Sequence, residues 1–165
     1  MNPEIILIAH NLRSCQNVGS LLRTADGLAV KTVYLSGYTP YPSSKNDERL
    51  PYLKEKIDKR IKKTSLGAEN FVDWKHSEDI IELLNQLRLS KYQLVALEQA
   101  KGAIDLNKFT PSSRVAVLVG REVEGVESSL LELIDNVVSI PMLGKKESFN
   151  VSQAAAMAIY KLRYF

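Results

Sequence analysis

The chain has 165 residues, of which 45% are apolar and 25% charged, with a formal net charge of +3, totals typical of one globular domain that folds without a metal or disulfide. The single cysteine, Cys15, excludes an internal disulfide, and with only His10 and His76 no structural zinc or other metal site is expected. No apolar run approaches the roughly 18 residues of a membrane span and the N-terminus lacks signal-peptide features, so we expect a cytoplasmic protein without membrane contact.

The first third of the chain predicts a βαβ unit followed by a basic helix. Residues 5–9 form a continuous apolar run, the pattern of a strand covered on both faces, and helical spacing of apolar residues begins at Asn17. Residues 32–36 predict a second strand, and the proline- and tyrosine-rich residues 37–46 predict a mobile surface loop. Residues 54–63 carry six basic and two acidic side chains, a pattern that fits either a solvated helix face or a phosphate-contacting stripe.

Strands and helices continue to alternate along the rest of the chain. The expected elements are strands at residues 71–74, 92–97, 114–119 and 137–140, and helices at residues 78–89, at residues 128–134 and from Asn150 to the C-terminus. This alternation predicts an α/β fold in which helices cover both faces of a mostly parallel sheet. No repeat or linker divides the chain, so residues 1–165 are expected to form a single domain.

The segment between the last strand and the last helix has an unusual order of residues. Pro141 ends the strand ladder because it lacks an N–H group, and Gly144 is expected to permit a turn that other residues resist. Asn150 is expected to accept a hydrogen bond from a first-turn amide while Gln153 reaches back, an asparagine version of the capping box. The segment is typical of a loop that holds a ligand.

Three loops that follow strands are candidates for one shared site: residues 17–25, 119–125 and 140–150. Ligands of open α/β sheets bind outside the carboxyl ends of the strands, so loops that are remote in sequence can meet there. Residues 120–125 have the glycine spacing of a phosphate loop but lack the lysine that follows it, and no dinucleotide fingerprint is present. Glu122 and Glu124 would repel phosphate, which favours a cationic small molecule.

These segments resemble the motifs of the SpoU/TrmH family of RNA 2′-O-ribose methyltransferases, which belong to the knotted SPOUT class. The first motif corresponds to Asn17-Val-Gly-Ser-Leu-Leu-Arg-Thr-Ala25, the second to Gly120-Arg-Glu-Val-Glu-Gly125, and the third to Ile140-Pro-Met with Ser148-Phe-Asn-Val151. The order and separation of the three segments, rather than any one of them alone, carry the resemblance. The resemblance covers essentially the whole sequence.

The resemblance implies a C-terminal trefoil knot and S-adenosylmethionine as the cofactor. Knots are rare exceptions to ordinary chain connections, and periodicity alone does not predict one. The residues that the resemblance assigns to cofactor binding are Leu97, Gly120, Ile140, Met142, Ser148 and Phe149. Several of them offer apolar walls, and Gly120 permits close approach of the backbone, as a buried adenine requires.

The resemblance also implies the catalytic residues, which are Arg23, Asn17, Glu122, Ser148 and Asn150. Arg23 is the central one. Free guanidinium loses its proton only above a pH of ~12, so Arg23 is expected to fix a phosphate and stabilise the developing alkoxide rather than act as the base. Simpler roles stay open at this point: Asn17 and Asn150 as helix N-caps, Arg23 as a surface residue, and Glu122 as an ion-pair partner of Arg121 or Lys145.

The expected partner is tRNA or rRNA, with tRNA slightly favoured, and the expected assembly is a homodimer. No appended RNA-binding domain is expected, so the catalytic domain itself must hold the RNA. The candidate contacts are Arg13, Lys59, Arg60, Lys63, Lys145 and Lys146. Two other interpretations remain: an RNA-binding module of this fold without activity, and a nucleotide-binding regulator that takes ATP or NAD.

Overall fold

The structure, a computed structural model, describes residues 2–45 and 47–164. Asn46 of the predicted loop and Phe165 of the predicted last helix lie outside the described residues. Within the described part of the chain the strands are β1 (Glu4–His10), β2 (Thr32–Ser36), β3 (Trp74–Ser77), β4 (Gln93–Leu97), β5 (Ile104–Asp105), β6 (Arg114–Val119) and β7 (Asn136–Ser139). The α-helices of the same part are α1 (Cys15–Gly27), α2 (Pro51–Ser65), α3 (Ile80–Leu89), α4 (Ser128–Leu131) and α5 (Val151–Tyr164).

All seven strands form one parallel sheet in the order β3-β2-β1-β6-β4-β7-β5. The central strands β1 and β6 pair directly, with Ile8 opposite Leu118. Their continuous apolar runs suit this position, because a central parallel strand is buried on both faces. The carboxyl ends of β1, β4, β6 and β7 consequently lie along one edge. The predicted loops at residues 119–125 and 140–150 follow β6 and β7 there, whereas residues 17–25, expected to be a loop, belong to helix α1.

Helices cover both faces of the sheet, as the sequence predicts. One hydrophobic core joins the sheet to α1, α2 and α5, through residues such as Leu22, Ile61 and Ile159. The second core, on the other face, joins it to α3 and α4 through Leu84 and Leu130. The α/β fold with a parallel sheet is therefore confirmed.

Helix α1 packs closely on the basic helix α2 at Gly19. A Cβ atom at Gly19 would lie 2.2 Å from the Thr64 hydroxyl and 2.3 Å from the Ile61 carbonyl oxygen, so no side chain fits between the helices. The Thr64 hydroxyl donates a hydrogen bond of 2.8 Å to the Gln16 carbonyl. This contact places the basic helix beside the first motif.

Several predicted boundaries are wrong. The strand expected at residues 71–74 is β3 at Trp74–Ser77, because a short 3-10 helix at Ala68–Asn70 precedes it and leaves Phe71 exposed. The helix expected at residues 128–134 is only the single turn of α4. Helix α1 begins at Cys15 rather than Asn17, because the Ser14 side chain accepts a hydrogen bond from the Asn17 amide and caps the helix.

Two loops also differ from expectation. The loop after β2 is anchored rather than free: Tyr41 stacks on His76 with ring centroids 4.0 Å apart, and the Arg49 guanidinium lies 3.7 Å above the Tyr41 ring. Gly144 has no positive φ, and a Cβ added there would meet nothing within 4 Å, so the turn does not require glycine.

No helix among residues 2–45 and 47–164 is long and apolar enough to cross a membrane. In the same residues, no group of three or more histidine, cysteine, aspartate and glutamate side chains could hold a metal ion.

Candidate active site

A cavity of about 230 Å³ opens at the edge of the sheet where β4, β6 and β7 end. Its described lining comes from the loops after these three strands and from the start of α5. The lining residues are Leu97, Glu98, Gln99, Val119, Gly120, Arg121, Glu122, Val123, Glu124, Gly125, Ile140, Glu147, Ser148, Phe149, Val151 and Ala154. Two of the three predicted loops therefore form its walls.

The floor of this cavity is a tight loop, residues 120–125. Arg121 and Gly125 exchange two backbone hydrogen bonds of 3.1 Å, which close the loop on itself. A Cβ at Gly120 would lie 2.5 Å from the Gly125 carbonyl group and the Val126 nitrogen, and Gly125 has a φ of +71°. Both glycines are required here, Gly120 by the close approach of backbone and Gly125 by its left-handed conformation.

A hydrogen-bonded network joins the three motifs beside the cavity. The Asn17 side-chain amide donates to Glu122 at 3.0 Å, and the Asn150 amide donates to the Asn17 side-chain oxygen at 3.1 Å. The same Glu122 carboxylate accepts from the backbone amides of Ser14 at 3.0 Å and Arg13 at 3.2 Å. Residues that are up to 133 positions apart in sequence are thus held in one arrangement.

The environment of Glu122 keeps its carboxyl group ionised. Burial raises the pKa of Glu122, but the hydrogen bonds from the Asn17 side chain and from backbone amides outweigh burial, so the pKa lies below its ordinary value. The ion pairs with Arg121 or Lys145 that the sequence left open are absent from the described contacts of Glu122. Arg121 instead lies 3.6 Å from Glu127 and 4.0 Å from Glu124.

The structure distinguishes the capping roles that the sequence left open for Asn17 and Asn150. Asn17 is not a helix cap, because Ser14 holds that position. Asn150 does accept from the Ser152 amide at 2.9 Å and from the Ser152 hydroxyl, so it caps α5 while its own amide reaches Asn17. Among the described hydrogen bonds none runs from Gln153 to Asn150, so the predicted capping box is only half formed.

The charge around the cavity is mainly negative. The described lining carries four carboxylates and one guanidinium, which is that of Arg121. Glu124 is also paired with Arg13 at 3.2 Å, and the negative charge of the remaining carboxylates favours a cation over a phosphate group. It agrees with the preference for a cationic ligand that Glu122 and Glu124 indicate in the sequence.

Five of the six residues assigned to cofactor binding line the cavity: Leu97, Gly120, Ile140, Ser148 and Phe149. The sixth, Met142, is not among the described residues that line this cavity. Pro141 separates Met142 from Ile140, and the role of Met142 in cofactor binding stays a prediction.

Arg23 stands apart from the cavity within a single protomer. It is exposed on α1 and is not one of the described lining residues. It follows Asn17 by six residues, which is about 9 Å along a helix axis and a different face of the helix. Its side chain therefore does not reach the cavity of its own protomer.

The residues assigned to RNA contact occupy two exposed regions. Arg13 and Arg60 line a second cavity of about 180 Å³ between the start of α1 and the basic helix. Lys59 and Lys63 are exposed on α2. Lys145 and Lys146 are exposed in the loop between β7 and α5, next to the cavity.

The sequence reasoning missed Glu98, Gln99 and Glu147, which line the cavity. Glu98 and Gln99 belong to no recognised motif, and only their place directly after a strand could have indicated them. A contact of the buried His10 was missed as well: His10 Nε2 lies 3.4 Å from the half-buried Glu127, and His10 Nδ1 is hydrogen bonded to the Ser36 hydroxyl at 2.8 Å. Burial lowers the pKa of His10, although Glu127 acts in the opposite direction.

The family model described as the SpoU rRNA Methylase family matches residues 4–160. Over 159 residues the chain is 24% identical to a tRNA (guanosine(18)-2′-O)-methyltransferase of Escherichia coli (strain K12), with 96% of the chain and 62% of that relative covered. It therefore spans less than two thirds of the length of that relative.

Two further likenesses agree with this match. The protein of the same description from Thermus thermophilus is 28% identical, with 96% of the chain and 74% of that protein covered. The crystal structure of an AdoMet-bound rRNA methyltransferase from Sinorhizobium meliloti superposes with a TM-score of 0.82 at 21% identity, covering 99% of the chain and 57% of that structure. At this identity the superposition shows a shared fold.

Proposed function

Because the chain belongs to the SpoU rRNA Methylase family, we propose that it transfers a methyl group from S-adenosylmethionine to a ribose 2′-hydroxyl of tRNA or rRNA. The observation that carries this proposal is the Asn17–Glu122–Asn150 network, which ties the three family motifs together at the edge of the cavity. The relatives include both tRNA and rRNA methyltransferases, and of the two substrates we favour tRNA.

The residues around the cavity suit S-adenosylmethionine in shape and charge. Leu97, Val119 and Ile140 give apolar walls for an adenine. The carboxylates of Glu124 and Glu147 face a ligand that carries positive charge rather than a pyrophosphate. When bound, this cofactor supplies an electrophilic methyl group on a sulfonium.

The chain's own residues must then position the ribose and stabilise the loss of its proton. Glu122 and Asn17 fix the start of α1 relative to the cavity floor, while Asn150 and Ser148 shape the side through which the ribose enters. We assign to Arg23 the binding of an RNA phosphate and the stabilisation of the developing alkoxide. Since guanidinium is a poor base, the proton passes to water or to a phosphate oxygen.

The RNA contacts proposed for this domain lie on both sides of the cavity. Arg13, whose guanidinium lies 3.2 Å from Glu124, and Arg60 line the second cavity next to the start of α1, and the exposed lysines of α2 extend this basic surface along the helix. Lys145 and Lys146 supply positive charge on the other side. Replacing Lys59 and Lys63 by alanine is expected to weaken binding of every RNA alike and to reduce its salt dependence, because phosphate contacts carry little sequence information.

We also propose a homodimer and a C-terminal knot, which the family resemblance implies. Helix α5 supports the dimer because Met157 and Tyr164 remain 38% and 55% exposed on it, although its other face packs in the core. Light scattering on the wild type and on Met157→Glu tests the dimer, which requires a doubled mass for the first and a reduced mass for the second.

Calorimetry with three ligands tests the proposed function against its rivals. Binding of S-adenosylmethionine in preference to ATP and NAD is expected, and preference for ATP or NAD would favour a nucleotide-binding regulator. Tritiated methyl transfer into total tRNA and rRNA then separates an enzyme from an inactive RNA-binding module. A protein that binds RNA and transfers no label would contradict the proposed activity.

A further inference from the structure

The geometry points to Glu98 as the positioning residue of the cofactor site, a residue that holds the loops around the cavity at the correct distance. This inference rests on the proposed function, because it takes the ligand of the cavity to be S-adenosylmethionine. Glu98 lies outside all three family motifs, and its role follows from contacts within this chain.

The order of the strands places Glu98 between two walls of the cavity. Strand β4 lies between β6 and β7 in the sheet. The loops after β6 and β7 form two walls of the cavity, and the residues directly after β4 lie between them. Glu98 and Gln99 are therefore the part of the chain that can contact both walls at once.

Glu98 and Gln99 form hydrogen bonds to both walls of the cavity. One carboxylate oxygen of Glu98 accepts from the Val126 amide at 2.7 Å, which fixes the end of the loop at residues 120–125. The other oxygen accepts from the Gln99 amide at 2.8 Å. The Gln99 side chain in turn donates to the Ile140 carbonyl at 2.6 Å, in the opposite wall.

Packing around Gly125 shows that the carboxylate is part of the loop's structure. A Cβ at Gly125 would lie 2.2 Å from one Glu98 oxygen, so the carboxylate fills the space that a side chain would need. Gly120 packs equally closely on Gly125 and Val126. Displacing Glu98 would therefore release Val126 and, through it, the floor on which the ligand rests.

Positioning is distinguishable from simple attraction between a carboxylate and a sulfonium. Both oxygens of Glu98 already accept backbone amides, so the carboxylate acts through the loop that it holds. A positioning role predicts that S-adenosylhomocysteine, which lacks the methyl group and the sulfonium charge, depends on Glu98 as strongly as S-adenosylmethionine does. Attraction of charge predicts that only the charged ligand depends on it.

Titration calorimetry of both ligands tests this inference with the full chain. Glu98→Ala removes the bonds to Val126 and Gln99 and is expected to raise both dissociation constants by about ten-fold or more, since bonds to a charged acceptor have this strength. Glu98→Gln keeps one acceptor for the Val126 amide and is expected to lie between alanine and the wild type. Glu78→Ala, an exposed glutamate after β3, is the matched control and should bind like the wild type.

Amide hydrogen exchange gives a second readout. Glu98→Ala should increase exchange at Val126 and in residues 120–125, with the rest of the sheet unchanged. If Glu98→Ala does not fold, Glu98→Gln and Gln99→Ala remain to test the same contacts.

The possible outcomes separate the two proposals. Failure of the wild type to bind either ligand would refute the proposed cofactor. A wild type that binds both, with Glu98→Ala binding equally well, would refute the positioning role alone. Weaker binding of S-adenosylmethionine without any change for S-adenosylhomocysteine would replace positioning by attraction of charge.

Discussion

Replacing Gly120 by alanine tests the geometry of the cavity floor. The added Cβ would lie 2.5 Å from the Gly125 carbonyl carbon, the Gly125 carbonyl oxygen and the Val126 nitrogen. Ordinary van der Waals contacts begin at 3.4 Å, so backbone on one side must move by about 1 Å. Because Gly125 and Val126 are held by Arg121 and Glu98, this movement displaces the loop as a whole.

Overpacking of this kind costs about 1–3 kcal/mol. For a chain of 165 residues, each kcal/mol lowers the melting temperature by about 2–4 °C, so a decrease of about 2–12 °C is expected. Differential scanning fluorimetry measures the decrease, and calorimetry measures S-adenosylmethionine binding, whose dissociation constant should rise by about ten-fold or more if the floor moves.

Gly144→Ala is the matched control, because a Cβ at Gly144 meets nothing within 4 Å and its φ is not positive. It is expected to melt like the wild type. If Gly120→Ala melts and binds S-adenosylmethionine like the wild type, the reasoning is refuted, because the loop then has room for a side chain.

Three further perturbations test other parts of the structure. Gly19→Ala should lower the free energy of unfolding by about 1–3 kcal/mol in chemical denaturation, because its Cβ would overlap Thr64. The control Gly27→Ala, whose Cβ meets nothing within 4 Å, should be neutral or stabilising. Equal stabilities of the two variants would contradict the α1–α2 contact. Burial lowers the pKa of His10, so the stability it contributes is present above its unfolded pKa of about 6.5 and is lost as the pH falls from there through the folded pKa. The melting temperature should therefore decrease below a pH of about 6.5, and His10→Gln should show a smaller decrease. Identical pH profiles of the two proteins would contradict this. Arg49→Ala removes the guanidinium that holds the pKa of Asp47 at about 2 and stacks on Tyr41. Limited proteolysis should therefore cut the loop after β2 faster in this variant. An unchanged rate of cleavage would show that the stack does not anchor the loop.

The sequence predicts the fold well because its central strands leave little choice. Continuous apolar runs at β1 and β6 can be buried only in the middle of a parallel sheet, and the structure places them there. Boundaries at the periphery are harder, as the strand predicted at residues 71–74 shows. Its aromatic residues indicate a strand, yet Phe71 follows a short 3-10 helix and is 80% exposed.

The candidate site could be predicted in part because its motifs directly follow strands. Asn17, Glu122 and Asn150 meet as expected, since parallel strands bring their carboxyl ends to one edge. Glu98 could not be recognised in this way, because its role depends on β4 lying between β6 and β7. That order is a long-range property of the sheet, and no local pattern in the sequence contains it.

The motif alone does not establish how Arg23 acts. Its spacing from Asn17 matches the family pattern, but the guanidinium is exposed on α1 and does not line the cavity of its own protomer. Its proposed role depends on how RNA, and a second subunit, lie against this surface.

Methyl transfer from tritiated S-adenosylmethionine into RNA, followed by alkaline hydrolysis, tests the proposed activity most directly. A methylated 2′-oxygen cannot attack the neighbouring phosphodiester, so label on the ribose survives in alkali-stable dinucleotides. The wild type should give labelled dinucleotides, Arg23→Ala should give none, and Lys91→Ala, a change at an exposed residue after α3, should match the wild type. Label confined to mononucleotides, or equal dinucleotide labelling by Arg23→Ala, would contradict transfer to ribose or the role of Arg23, respectively.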